Sequence, residues 1–258
     1  MMVGLHRRPG HDGKATDLAT KDSIDLKDNA DRPQTYSSPA ILERRRRILE
    51  ETRKVIAEQG IAALSMNEIG QRAGVAKRTL YNAFQTRERM IASAIQEYFD
   101  EYVSRIDYAS APGTLQYNLE RMISVVQRNR KIRNYIRAIM ALYFSSDVDH
   151  DIWTAMHSPA VEHNRTWIAM LEKKKQLQPW VDVDGLVEDL VRFEYATIND
   201  WAQGRIPDDD VIVRLVGSYL TCVLGALKGA ARKEVEALIV ALSQQGMDAL
   251  PMRKRSRG

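Results

Sequence analysis

Cysteine is almost missing from the 258 residues: Cys222 stands alone, which excludes an intrachain disulfide and any multi-cysteine metal site. Alternating apolar and polar runs of useful length are also missing, so strand signals are sparse. The longest apolar stretch, YLTCVLGALKGAA, is too short to span a bilayer and carries Lys228. No cationic segment followed by an apolar one opens the sequence, and the expectation is a cytoplasmic protein with no membrane partner. The patterns G-x-S-x-G, H-E-x-x-H and the P-loop do not occur. Cys222, on an apolar helix face, reads as an inert thiol, and neither catalysis nor a cofactor is expected.

The net charge is small, +4 with a pI near 9.1, and argues only weakly for a polyanionic partner. Its placement says more. From Arg44 to Arg89 there are eleven cations against five carboxylates, a local excess of roughly +6, so the positive field belongs to one region.

Residues 1–37 are rich in Gly, Asp, Lys, Asn and Ser without a consistent apolar period, and read as a disordered arm. Residues 251–258, PMRKRSRG, read as a basic tail. Between them the period is helical. Ile48, Leu49, Thr52, Val55 and Ile56 mark one buried face of a first helix, which Gly60 stops. Ser65-Met66-Asn67-Glu68 is a capping-box pattern opening a short second helix that ends at Ala73-Gly74. A third helix is expected from Lys77 to Phe84 and a fourth from Arg87 through Tyr102. Further helices are expected at 114–129, 131–144, 160–177, 184–204, 208–229 and 231–249, with breaks at SSDVDHD, HSP, QPWVD and GRIPDDD. The chain reads as all-α: a helix-turn-helix unit over 38–86 and a larger helical part over 87–250.

Two short helices joined by a glycine turn, the second cationic, form the helix-turn-helix pattern of DNA-binding proteins. On the third helix Leu80 and Phe84 define the inward side with Ala83 nearby. Arg78 and Asn82 point away, Thr79 and Tyr81 flank them, and Lys77 stands at the N-terminus. Arg78 can donate in pairs to guanine O6 and N7, and the Asn82 amide can pair with adenine N6 and N7. The Thr79 and Tyr81 hydroxyls suit phosphate oxygens, which fix register without reading sequence. Arg87 is a candidate phosphate clamp at the start of the fourth helix. Ser65 is open between a cap and a phosphate contact. For Arg44 to Arg47, a solvated helix start and added phosphate or minor-groove contacts stand equally open.

The run ILEETRKVIAEQGIAALSMNEIGQRAGVAKRTLYNAFQTRERMI, residues 48–91, resembles the DNA-binding domain of the tetracycline-repressor (TetR) family of bacterial regulators. It shares the order of an A-x-x-G helix end, a Ser cap, an I-x-x-x-A-G-V turn and a T-L-Y core followed by Phe. The resemblance implies DNA contacts at Ser65, Lys77, Thr79, Tyr81 and Arg87. Three departures make the operator sequence unpredictable: Arg78 where Gly or Ala is frequent, Ala83 where His is frequent, and Ala76 in place of a Ser cap.

The same resemblance implies a homodimer on double-stranded operator DNA, released by a small-molecule effector, and an effector pocket between Leu115 and Trp180. Tyr135, Met140, Tyr143, Phe144, Trp153, Met156, Trp167 and Met170 are the candidate lining, with ordinary core as the alternative for each. The stripes Leu186, Leu190, Phe193, Thr197, Trp201 and Ile212, Leu215, Tyr219, Val223, Leu227 resemble the family's dimerisation helices. Phe193, Trp201, Leu215, Tyr219 and Val223 are the interface candidates, again with internal core as the alternative. His150, His157 and His163 are spaced by seven and six residues, which fits no metal-binding pair on a helix. The rival readings are an activating or effector-independent regulator and, from another class, a helical enzyme or partner-binding module carrying an appended helix-turn-helix.

Overall fold

The computed structural model describes residues 38–250; the expected disordered arm and basic tail lie outside the described residues. Among the described residues the elements are helices: α1 Pro39–Gln59, α2 Met66–Ala73, α3 Lys77–Phe84, α4 Arg87–Val103, α5 Leu115–Asn129, α6 Arg133–Tyr143, α7 His150–Lys173, α8 Val183–Ala202, α9 Val211–Leu224 and α10 Gly229–Gln245. Single 3-10 turns at Arg130–Ile132 and Gly246–Ala249 complete the set. The fold is all-α, as the helical periodicity implies.

The first turns follow the caps read from the sequence. Ser65 Oγ accepts from the Glu68 N–H at 3.2 Å, and Gly74, left-handed at φ 63°, returns its N–H to the carbonyls at the end of α2. The reciprocal half of the capping box is replaced: the Glu68 carboxylate accepts from Gln59 Nε2 at 2.9 Å and Arg72 Nε at 3.1 Å, which ties α2 back onto α1. Gly70 permits the tight turn, since a Cβ there would lie 3.1 Å from the Val75 carbonyl and 3.6 Å from Leu80.

One expected break is absent. HSP lies inside α7, which starts at His150 and is capped by Asp149 accepting from the Asp151 N–H at 2.9 Å. Pro159 withholds one N–H from the helix ladder, yet Ile152, Met156 and Ala160 before and after it stay buried, so packing overrides the local break. This long helix packs against α4 on one side and α8 on the other, while α4 also packs on α1.

The two C-terminal stripes are mostly interior, which corrects four of the interface candidates. Trp201, Leu215, Tyr219 and Val223 are each 1% exposed or less. Trp201 Nε1 donates to Asp208 at 2.7 Å, and the Tyr219 hydroxyl joins Asn118 and Asn164 in a buried polar cluster. The apolar phase of α8 and α9 is satisfied within the chain, by packing against each other and against α5, α6, α7 and α10. Phe193 alone among the five is exposed, at 50%, above a shallow groove lined by Val213, Gly217, Ser218, Thr221 and Cys222.

Candidate nucleic-acid interface and an interior cavity

Helix α3 is anchored from one side only. Leu80 and Phe84 are buried among α1, α2 and α4, whereas Lys77, Arg78, Tyr81 and Asn82 are exposed and Thr79 is half-buried. Ala83 is exposed as well and does not share the inward side. Lys77 Nζ lies 5.7 Å from the centre of the Tyr81 ring, so the first turn presents a cation and a ring as one unit. The cap position Ala76 makes no side-chain hydrogen bond, which leaves the α3 N-terminus free of a competing side-chain acceptor.

Arg87 has a different role from the clamp expected of it. Its Nε donates to the Leu64 carbonyl at 2.8 Å, another guanidinium nitrogen donates to the Ile61 carbonyl, and Nη1 pairs with Glu88 at 3.1 Å. The side chain turns inward onto the α1–α2 connection, giving a donor to the Leu64 carbonyl and a second one to the Ile61 carbonyl, which also accepts from the Leu64 N–H at 3.2 Å. Three of the four arginines in the run Arg44 to Arg47 are likewise engaged. Arg45 pairs with Glu97 and lies over the Phe84 ring at 4.8 Å, Arg46 pairs with Glu43 and Glu50, and Arg47 Nε donates to the Ala73 carbonyl at 2.9 Å.

Between α3 and α4, Gln85 adopts φ 66°, a left-handed backbone uncommon outside glycine. Its side chain accepts from Arg89, and Arg89 Nε also donates to Asp151 Oδ2 at 3.1 Å in the first turn of α7. The end of α3 is thereby wired to α7, the longest helix among the described residues.

Behind α4 lies a cavity of about 480 Å³, within the range of small-molecule sites. Phe99, Asp100 and Val103 from the second half of α4, with Ser104 just beyond its end, form one wall. Arg121, Val125 and Asn129 contribute from α5, Ile136 and Met140 from α6, Met156, Ala160 and His163 from α7, and Glu194, Tyr195 and Ile198 from α8. Arg121 and Glu194 form a buried ion pair, 8% and 2% exposed, with Nη2 3.0 Å from Oε2. Burial, with Arg121 nearby, lowers the His163 imidazole to about 2, so it is neutral at ordinary pH.

Only Met140 and Met156 of the eight pocket candidates line this cavity. Trp153 stacks on His157 at 4.2 Å, and Tyr143 is hydrogen-bonded to His157 Nδ1 at 2.7 Å in a cluster closed by Glu188. Phe144 is 50% exposed. Tyr135 lines a separate cleft beside Arg53 and Tyr98; Trp167 faces Tyr219, and Met170 sits against Gly113. The misplacement on α7 is one of phase: Met156, Ala160 and His163, four and then three residues apart, face the cavity, and the aromatic residues occupy other sides. The polar residues were missed, although a signal existed. Glu194 stands midway between buried Leu190 and Ile198 at helical spacing, a charge where the stripe demands an apolar side chain. Among the described residues no group of His, Cys, Asp or Glu is arranged to hold a metal ion, and none of the helices is long and apolar enough to cross a membrane.

A glycine turn between two short helices, with an exposed cationic second helix, defines a helix-turn-helix regulator class. Residues 48–94 match the family model described as bacterial regulatory proteins, tetR family. The chain is 30% identical over 121 residues to the HTH-type transcriptional repressor KstR of Mycolicibacterium smegmatis, covering 44% of this chain and 59% of that repressor. It is 24% identical over 208 residues to KstR2 of the same organism, covering 76% and 95% respectively. In fold it is similar to a TetR-family transcriptional regulator from Streptomyces coelicolor, with a TM-score of 0.54, 17% identity, and coverage of 81% of this chain and 92% of that one. Residues 48–94 thus carry the DNA-binding region of the tetR family of bacterial regulatory proteins, and the helical fold of the chain is similar to that of TetR-family regulators.

Proposed function

We propose that the chain is a homodimeric repressor whose hold on operator DNA is released by a small molecule in the cavity behind α4. The observation that carries this reading is the position of α4 itself. Two residues separate its start from the end of α3, and its second half walls the cavity, so a molecule that favours one placement of α4 biases the presentation of Lys77, Arg78, Tyr81 and Asn82. Only a ligand with different affinity for the two placements can do so.

In this reading Arg78 and Asn82 are the base readers, Thr79 and Tyr81 hold phosphates, and Lys77 does either. Ser65 keeps its role as a cap and can add a phosphate contact. The 38–86 segment is the DNA-binding unit, and 87–250 is the effector and dimerisation part. The homodimer interface is the exposed α8/α9 face around Phe193, Ser218 and Thr221; small side chains there let two helix pairs approach closely. Repression in the two mycobacterial relatives, by name, supports the sign of regulation.

In vitro transcription tests the sign. Adding the purified chain should lower transcript from a promoter overlapping its selected site; a rise would replace repression with activation.

A further inference from the structure

The cavity carries its hydrogen-bonding capacity in an uneven arrangement. Three buried polar atoms on its lining residues have no partner: Arg121 Nε, His163 Nε2 and Asn129 Oδ1. Arg121 and His163 are neighbours, close enough for the Arg121 charge to act on the imidazole. Asn129 lies eight residues further along α5, roughly 12 Å at the helical rise. Val125 falls between them on the same face, and Ile136, Met140, Met156 and Ile198 make the surrounding wall apolar. The α5 wall of the cavity therefore carries a polar residue near each end and an apolar middle, and a guest reaches the unpartnered atoms, which the packing covers, as their side chains turn toward it.

Its charges exclude ionised guests. The Arg121 cation is already matched by Glu194, so an incoming carboxylate would have to displace a partner that is 2% exposed and leave that charge buried without compensation. Asp100 and Glu162 on the lining add further negative charge, and no other cation lines the cavity. A ligand ammonium would be held at the exposed rim by Asp100 and Glu162 and would meet Arg121 only in the interior. Each unpartnered atom costs free energy until something bonds to it, and a hydroxyl can do so at all three, a carbonyl at the Arg121 Nε–H, without bringing charge.

We infer that the effector is an uncharged, mainly apolar molecule with a hydroxyl or carbonyl oxygen at one end and a hydroxyl at the other, about 12 Å apart, the first at Arg121 and His163 and the second donating to Asn129 Oδ1. The inference rests on the reading of this cavity as the effector site.

The test compares 1,10-decanediol, 1-decanol, decanedioate and 1,10-diaminodecane, with binding to the full chain measured by calorimetry near pH 8. The diol should bind at least about tenfold tighter than the dicarboxylate or the diamine, a preference of about 1.4 kcal/mol, and tighter than the mono-alcohol. Asn129→Leu should erase the advantage of diol over mono-alcohol. Glu194→Gln, which leaves Arg121 unmatched, should improve decanedioate about tenfold while changing the diol little. The rim double variant Asp100→Asn/Glu162→Gln, at exposed positions, should move decanedioate the same way with less risk to folding. A dicarboxylate or diamine that equals or beats the diol in the unmodified chain would overturn the inference, as would failure of all four probes to bind. Ala160→Trp, which fills the cavity, separates the two levels. If it abolishes binding of whichever probe wins, the site stands and only the ligand class is decided; if binding persists, the effector-site reading itself falls.

Discussion

Arg89 Nε lies 3.1 Å from Asp151 Oδ2, joining the first turn of the helix that follows the recognition helix to the first turn of α7. Both side chains are about half exposed, so the pair contributes little to global stability, at most about 1 kcal/mol. Its consequence is local. Asp151→Asn should leave the urea midpoint nearly unchanged and speed amide exchange in the first turns of α4 and α7. Unaltered exchange there would show that the pair does not couple these helices.

Arg87→Ala should damage the fold rather than the phosphate contact. The Leu64 and Ile61 carbonyls would lose a charged donor, at a cost of about 1.5 to 3 kcal/mol. The salt dependence of DNA binding by the folded variant should match that of the unmodified chain. A shallower salt slope with unchanged stability would return Arg87 to the DNA surface.

Phe193 and Trp201 lie eight residues apart on α8 and should respond in opposite ways. Phe193→Asp should give a folded monomer in sedimentation experiments, since Phe193 is exposed. Trp201→Ala should instead lower stability by about 3 to 5 kcal/mol, as removal of a buried indole does. A dimer that survives Phe193→Asp would move the interface elsewhere.

His163 predicts an acid-side loss of stability. Its folded value is about 2 against 6.5 for the free imidazole, so the unfolded chain takes up a proton that the folded chain refuses. Stability present above pH 6.5 is lost as pH falls from 6.5 towards 2, by up to about 1.4 kcal/mol per pH unit. His163→Gln should flatten the difference between urea midpoints at about pH 7 and about pH 5.5. An equally steep dependence in the variant would assign the loss to other groups.

The helix-turn-helix was legible because local chemistry decides it: Ser65 and Gly74 cap α2, and the short α3 has one apolar edge, Leu80 and Phe84. The tertiary partners of charged residues were not legible. Arg87 and Arg47 each seek a carbonyl more than twenty residues away, which no local pattern announces. On α8 and α9 the apolar stripe was visible, yet periodicity cannot distinguish a face buried within the chain from one buried between chains, and Trp201, Leu215, Tyr219 and Val223 turned out to be interior. The cavity failed for a related reason: aromatic residues such as Trp153 drew attention, while its distinctive members are the buried polar pair Arg121 and Glu194.

Selection of bound sites from random duplex DNA tests the central claim most directly. The unmodified chain should enrich a two-fold symmetric sequence with half-sites separated by about one helical turn, roughly 34 to 36 Å, or a multiple of it. Arg78→Ala should weaken that binding by about 1 to 3 kcal/mol and relax one position in each half-site. Enrichment of no sequence, or an identical preference in the unmodified chain and Arg78→Ala, would contradict the assignment of α3 as the reading helix and of Arg78 as its base contact.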